Sequence, residues 1–335
     1  MYPRNTIDMN KITTALLLTI LYFSGCAQEV KDKVMSSGDR ISYLSEKVRR
    51  FKQEPLYQLE VESVLSFSIL MNGCPVYSNF DQRPGMARVD INPYILKSGQ
   101  QQVTIALYPG YDGQGTVKQY LENGSKFSLK IEKTGWDKGG NLKTPEEIVL
   151  YKTANETTDL AKLKTYKKDI HFKADVPYQL EGWTNGQDLT QLDRVQLEQQ
   201  VLSFYKQMLS AFENKEFDDL NTKFLKADAE WYQALYFPKD IITKFQTTKG
   251  RKGKSVAITL STSTRNSRTF YSLQNYDLKF YGDGRLVRLE SRYGANKGES
   301  LLGYEDIDKN GLNRKTFVDM LLYMPKGSTS LEIIR

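Results

Sequence analysis

The chain reads as a mixed, two-domain protein, an antiparallel β-sandwich followed by an α+β domain. Three observations predict this. Residues 57–177 alternate apolar and polar side chains in short runs rich in β-branched and aromatic residues, divided by Gly, Pro, Asn and Asp clusters. From Leu192 onward apolar residues recur at three- and four-residue spacing, the period of helices. After about residue 255 the alternation returns. The 335 residues, 39% hydrophobic and 26% charged, suit two domains of about 150 residues behind a leader and exclude a disordered chain.

The leader is Met9 to Cys26, MNKITTALLLTILYFSGC. It has a basic start at Lys11, an apolar run from Ala15 to Phe23, and the small pair Ser24-Gly25 directly before Cys26. A secretory signal needs those three parts. The run is shorter than the roughly 20 apolar residues of a membrane-spanning helix. Residues 1–8 look like an upstream start, Met9-Asn10-Lys11 being the more natural beginning. The stretch resembles the lipobox of bacterial lipoproteins, with Phe23 where that family usually has leucine. The resemblance implies cleavage after Gly25 (residues 1–25 removed) and a diacylglyceryl group on the Cys26 thiol. Ala27 and Gln28 carry no aspartate, which by the sorting rule of enteric lipoproteins implies the outer membrane of the cell envelope. An ordinary cleaved signal and a retained short anchor are the alternatives.

Residues 26–56 are polar and charged and read as a tether. A helix from about Arg40 to Lys52 would place Ile41, Leu44, Val48 and Phe51 on one face, and Pro55 closes it. The sandwich follows from Tyr57, in runs such as YQLEVESVLSFSILMNG, QQQVTIALYPG and KDIHFKADV. Strands at this spacing suit a sandwich. The segment around NGCPVYS and INPYILKSGQQQVTIAL resembles jelly-roll and Ig-like accessory domains, which implies a protein or glycan ligand. Tyr108, Tyr111 and Tyr120 around PGYDGQG are the candidate ligand platform. Aromatic residues beside a Gly-rich loop also serve to staple it to the sheet.

Residues 178–192 are the expected linker and residues 193–335 the second domain. Leu197, Val201, Tyr205 and Met208 mark a helix with Thr190 or Asp193 as cap. FDDLNTKFLKADAEWYQALYF continues as a second helical pattern after Asn214-Lys215, and Pro238 opens a short third. Strands are expected in SVAITLSTST, RTFYSLQNYDLKFY and RLVRLESRYG, the last two joined by the turn Gly282-Asp283-Gly284. This order resembles the NTF2-like cone. Enzymes of that family place an Asp and a His in the cone, and this half has no histidine. The resemblance therefore implies binding or scaffold use, with Trp231, Tyr232 and Tyr236 as candidates for the mouth or for the core.

Asp306-Ile307-Asp308-Lys309-Asn310-Gly311 resembles the start of an EF-hand loop, which implies calcium held by Asp306, Asp308 and Asn310. Thr316 stands where that loop needs a bidentate glutamate, and a polar turn before a helix capped by Asn313 accounts for the same residues. No other cofactor is indicated. Cys/His clusters, a GxxxxGK[ST] loop and a nucleophile elbow are all missing. The one other cysteine, Cys74, reads as a small buried residue, and the single histidine, His171, as a strand residue.

The net charge is +7, falling to +6 once Arg4, Lys11 and Asp8 leave with the signal. Both signs are interspersed, so no concentrated basic face for nucleic acid is present. Two classes of function remain. One is a lipid-anchored, non-enzymatic envelope protein that binds a protein partner, such as an immunity protein against a periplasmic toxin or an assembly component. The other binds or processes glycan.

Overall fold

A computed structural model of the chain describes residues 34–81, 83–137, 141–247, 268–307 and 311–335. The chain divides into two units, Met1–Val34 and Met35–Arg335, and all the elements below lie in the second. The architecture is mixed and mostly β: four antiparallel sheets and five α-helices among the described residues, with no helix long and apolar enough to cross a membrane.

The first helix, α1 (Ser37–Lys47), is capped by Ser36, whose hydroxyl accepts from Asp39 N. It ends about a turn before the Lys52 that periodicity suggests. The long alternating run from Tyr57 breaks into β1 (Leu56–Ser63) and β2 (Ser66–Met71). The corner is made by Ser63, whose Oγ accepts from Leu65 N at 2.9 Å and donates to Leu65 O at 3.0 Å. Strands β3 (Cys74–Asn79), β4 (Gly85–Asp90), β5 (Gly99–Tyr108), β6 (Phe127–Thr134), β7 (Glu146–Lys152) and β8 (Tyr166–Ala174) complete two sheets, ordered β4-β1-β6-β7 and β3-β2-β5-β8. Inward positions such as Leu59, Val61, Ile69 and Ile105 are fully buried, and Phe67 meets Phe127 of the opposite sheet at 5.4 Å. The outer face of the first sheet carries a cross-strand ladder, Arg88 and Lys130 each bridging Glu60 and Glu132.

Helix α2 (Arg194–Glu213) starts at Asp193, which accepts from Gln196 N at 2.8 Å. The second helical run forms two helices, α3 (Phe217–Lys223) and α4 (Leu225–Ala234), and Pro238 precedes α5 (Lys239–Thr247). Strands β9 (Thr269–Phe270), β10 (Tyr276–Tyr281), β11 (Leu286–Ser291), β12 (Gly303–Ile307), β13 (Asn313–Phe317), β14 (Leu322–Tyr323) and β15 (Glu332–Ile333) form sheets ordered β10-β11-β14-β15 and β13-β12-β9. The strand expected at 255–264 lies outside the described residues. Leu197, Val201, Tyr205 and Met208 of α2 bury against Val287, Leu289 and Leu322.

The core of the sandwich does not stop at its own strands. Ala234, Tyr236, Leu286, Leu321, Tyr323 and Ile334 from the C-terminal half join the same buried cluster. Asn92 is the polar centre of this junction and is completely buried. Its Oδ1 accepts from Tyr57 N at 2.6 Å, and its Nδ2 donates to Pro55 O (2.9 Å) and to the helix-end carbonyl of Ala234 (3.2 Å). Beside it, Arg335 donates to Pro93 O (3.0 Å) and Glu230 Oε2 (2.7 Å) and covers the Trp183 ring. The β2–β3 and β10–β11 turns also touch, Gly282 N donating to Gly73 O at 2.9 Å. Gly282 has φ +54°, and a Cβ there would lie 2.8 Å from the Trp183 indole. Only glycine fits.

Replacing Asn92 by alanine orphans one buried N–H and two buried carbonyls, each costing about 1–3 kcal/mol. Asn92→Ala is therefore expected to lower the unfolding free energy by roughly 3 kcal/mol, read from the urea midpoint at unchanged slope.

Candidate functional site

A concavity of about 900 Å³ lies at one end of the sandwich, among Glu62–Val64, Asn123–Ser128 and Lys152–Leu160. A second of about 340 Å³ adjoins it through Val64 and Asn123–Ser125, and Tyr111, Lys118 and Tyr120 line it. Local chemistry fixes both walls. Gly110 packs against the strand corner, where a Cβ would meet Val64 O at 2.6 Å. The following loop is wound around Asp112, whose Oδ1 accepts from Gln114 N and Thr116 N at 2.9 and 2.8 Å. Thr153 Oγ1 accepts from Phe127 N and donates to Ser125 O, closing the floor. Glu156 is held below the usual carboxylate range by its hydrogen bond to Lys168, 2.9 Å away. Val64, Val117 and Tyr120 present exposed apolar surface at this end.

Of the three tyrosines read as a platform, the structure brings two to this site. Tyr111 lines the smaller concavity with its hydroxyl donating to Phe80 O at 2.6 Å, and Tyr120 stands there exposed. Tyr108 instead packs at a tilt against Phe80, ring centroids 5.3 Å apart, with Lys297 over both rings. It staples a C-terminal loop to the sandwich. Tyr232 and Tyr236 are 1% and 2% exposed and serve as core, and Trp231 packs edge-on against Tyr94. Cys74 is fully buried, which pushes its thiol pKa upward and leaves it inert.

The helix expected after the candidate calcium loop is a correction. Asp308 and Asn310 lie outside the described residues, and the segment from Asn313 is a strand, not a helix. It pairs with β12 in the register Asp306↔Arg314. On β12 the neighbouring Glu305 accepts from Tyr271 and Asn313. No group of three or more His, Cys, Asp and Glu side chains converges among the described residues. Gly25 and Cys26 also lie outside the described residues.

One concentration of charge escaped the sequence reading. Arg288 on β11 is buried and pairs with Glu290 at 2.5 Å and Asp319 at 2.6 Å, and Tyr281 donates to Glu290. Glu299 sits in the same surroundings, where burial raises its pKa to about 7 against the pull of Arg288. The sequence hid it, since Arg288 and Glu290 alternate with Val287 and Leu289 as in a strand with one solvated face, whereas both faces are buried here. Unlike charge states among neighbouring carboxyls are what acid–base catalysis uses. Here, however, the guanidinium is consumed by its own carboxylates, and neither concavity at the end of the sandwich reaches the cluster.

Comparison with known proteins adds no relative: no family model, curated protein or solved structure matches the chain.

The raised Glu299 has a sign that can be checked. The folded protein favours the protonated acid, so that contribution is complete below about pH 4.5 and is lost as pH rises through about 7. Glu299→Gln should flatten this part of the pH–stability profile, gaining roughly 2–3 kcal/mol over wild type at pH 8 relative to pH 4.5. Parallel urea titrations of the two proteins measure it.

Proposed function

We propose that the chain is a lipoprotein of the cell envelope, tethered through a diacylglyceryl group on Cys26, with a non-enzymatic role in binding a protein partner. The observation that carries the address is the apolar run ending in Ser24-Gly25-Cys26. Cys74 is a free, fully buried thiol, which is consistent with Cys26 being taken up by lipid. In this reading the body is a two-domain molecule, a sandwich followed by an NTF2-like cone. The packing of α2 against β11 and β14 supports the cone. Its interior is filled by Tyr205, Met208 and Leu289 rather than open to a substrate, which favours scaffold use. The partner belongs at the loop end of the sandwich, where rigid turns carry Val64, Val117 and Tyr120 exposed. An immunity protein facing a periplasmic toxin, or an envelope assembly component at the outer membrane, needs such a surface.

A second reading takes the same end as a glycan seat. What favours it is concavity: the paired clefts of about 900 and 340 Å³ combine Tyr111 and Tyr120 with hydroxyl, amide and carboxylate groups.

Cells fed labelled palmitate should incorporate it into the wild-type protein and not into Cys26→Ser, which should leave the membrane fraction. A wild-type protein without label removes the anchor. For the ligand, Tyr120→Ala with Val117→Asp should abolish co-purification of a partner from envelope extracts while leaving unfolding unchanged. Retention on a glycan array that Tyr120→Ala alone weakens at least tenfold would transfer the site to the second reading.

A further inference from the structure

The helix α1 belongs to the stretch expected to be a tether, yet it is seated. Leu44 is fully buried with Ala229, Tyr232 and Ile242 in a small core separate from the two large ones. Arg40, 2% exposed, lies in the same seam. Its Nε donates to Gln246 Oε1 at 3.0 Å, and its Nη1 reaches Met35 O and Asp218 Oδ1, both at 3.4 Å. Gln246 in turn donates to the Tyr232 hydroxyl at 2.9 Å. Under this network sits Asp228 of α4, 4% exposed, whose Oδ2 has no hydrogen-bond partner. A carboxylate in that place would be a buried charge facing one guanidinium that is already engaged elsewhere, while a neutral carboxyl leaves one oxygen idle at modest cost.

We propose that α1 is a proton-sensitive strap, closed over α4 and α5 while Asp228 is neutral and released when Asp228 must carry charge. The groups that face Asp228 are Arg40 from α1, Tyr232 on its own helix and Gln246 from α5. Asp218 of α3 stands on the far side of Arg40. Burial raises the Asp228 carboxyl to about 8, against the weaker opposing effects of Gln246 and Arg40. The closed state is therefore the proton-rich one. Its advantage is complete below about pH 4, the ordinary carboxyl range, and is lost as pH rises through about 8. Release uncovers Ala229, Tyr232 and Ile242 as an apolar groove. It also frees residues 35–48, which extended span up to about 50 Å ahead of the sandwich. The strap thus couples the acidity of the medium to an exposed helix-binding groove and to a longer connection.

Hydrogen–deuterium exchange on the full chain at pH 5.5 and 8.5, corrected for intrinsic rates, tests this. Amides of α1 should lose protection at least roughly tenfold at the higher pH while those of β5 keep theirs. Asp228→Asn, which keeps the volume and cannot ionise, should hold α1 protected at both values. Leu44→Ala should unprotect it at both, confirming that the signal reports the seat. Equal α1 protection at the two pH values in wild type overturns the proposal, as does an unchanged pH response in Asp228→Asn. The wild-type pH series decides alone if the variant does not fold.

Discussion

One buried amide holds this molecule together. Asn92 has no access to water, so every polar atom of its side chain must be answered from within. The answers come from the start of the sandwich (Pro55 and Tyr57) and from the end of α4 (Ala234). Those three backbone groups are thereby fixed in one arrangement. Arg335 repeats the device beside it, bonding Pro93 O on one side and Glu230 on the other, while Glu230 receives Gly182 N. Hydrophobic burial supplies the bulk of the stabilisation at this seam, but it is non-directional. The amide and the guanidinium give it a single geometry.

With the junction fixed, the remaining parts divide their roles. The sandwich presents turns whose conformation is set internally, by Ser63, Asp112 and Thr153, so that the two concavities exist before any ligand arrives. The ladder of Arg88, Lys130, Glu60 and Glu132 occupies the outer sheet face with charges that already satisfy one another. Chemistry that looks reactive at the level of residue types, the cluster at Arg288, is turned inward in the same way. At the loop end, by contrast, Val64, Val117 and Tyr120 stay exposed beside hydrogen-bonding groups.

Much of the fold was legible because local patterns and tertiary demands agree. The alternation of residues 57–177 marks the sandwich strands, Asp193 caps α2 as its position suggests, and Gly282-Asp283-Gly284 turns the β10–β11 hairpin. Where reading failed, a longer-range partner decided. Residues 217–234 have one helical period but make two helices, α3 and α4, which part at Phe224. The run after Asn310 has helix-compatible spacing, yet β12 captures it as a strand. Of the candidate ligand residues, Tyr111 and Tyr120 reach a common concavity, while Tyr108 is claimed by Phe80 and Lys297, residues distant in sequence. A single sequence does not reveal such pairings, nor that Asp228 would be buried beneath α1.

The junction also dictates how the chain must fold. Arg335 and Pro93 are 242 residues apart, and Met35 meets Thr222 across 187. Closing loops of that length adds little to the final free energy, about 0.6 kcal/mol for each doubling, but dependence on such remote partners slows the search for them. Edge strands such as β8, which among the described residues pairs on one side only, are where another chain could add meanwhile. Lys167, Lys168 and Lys173 along that strand repel the pairing that would turn a slow folder into an aggregate.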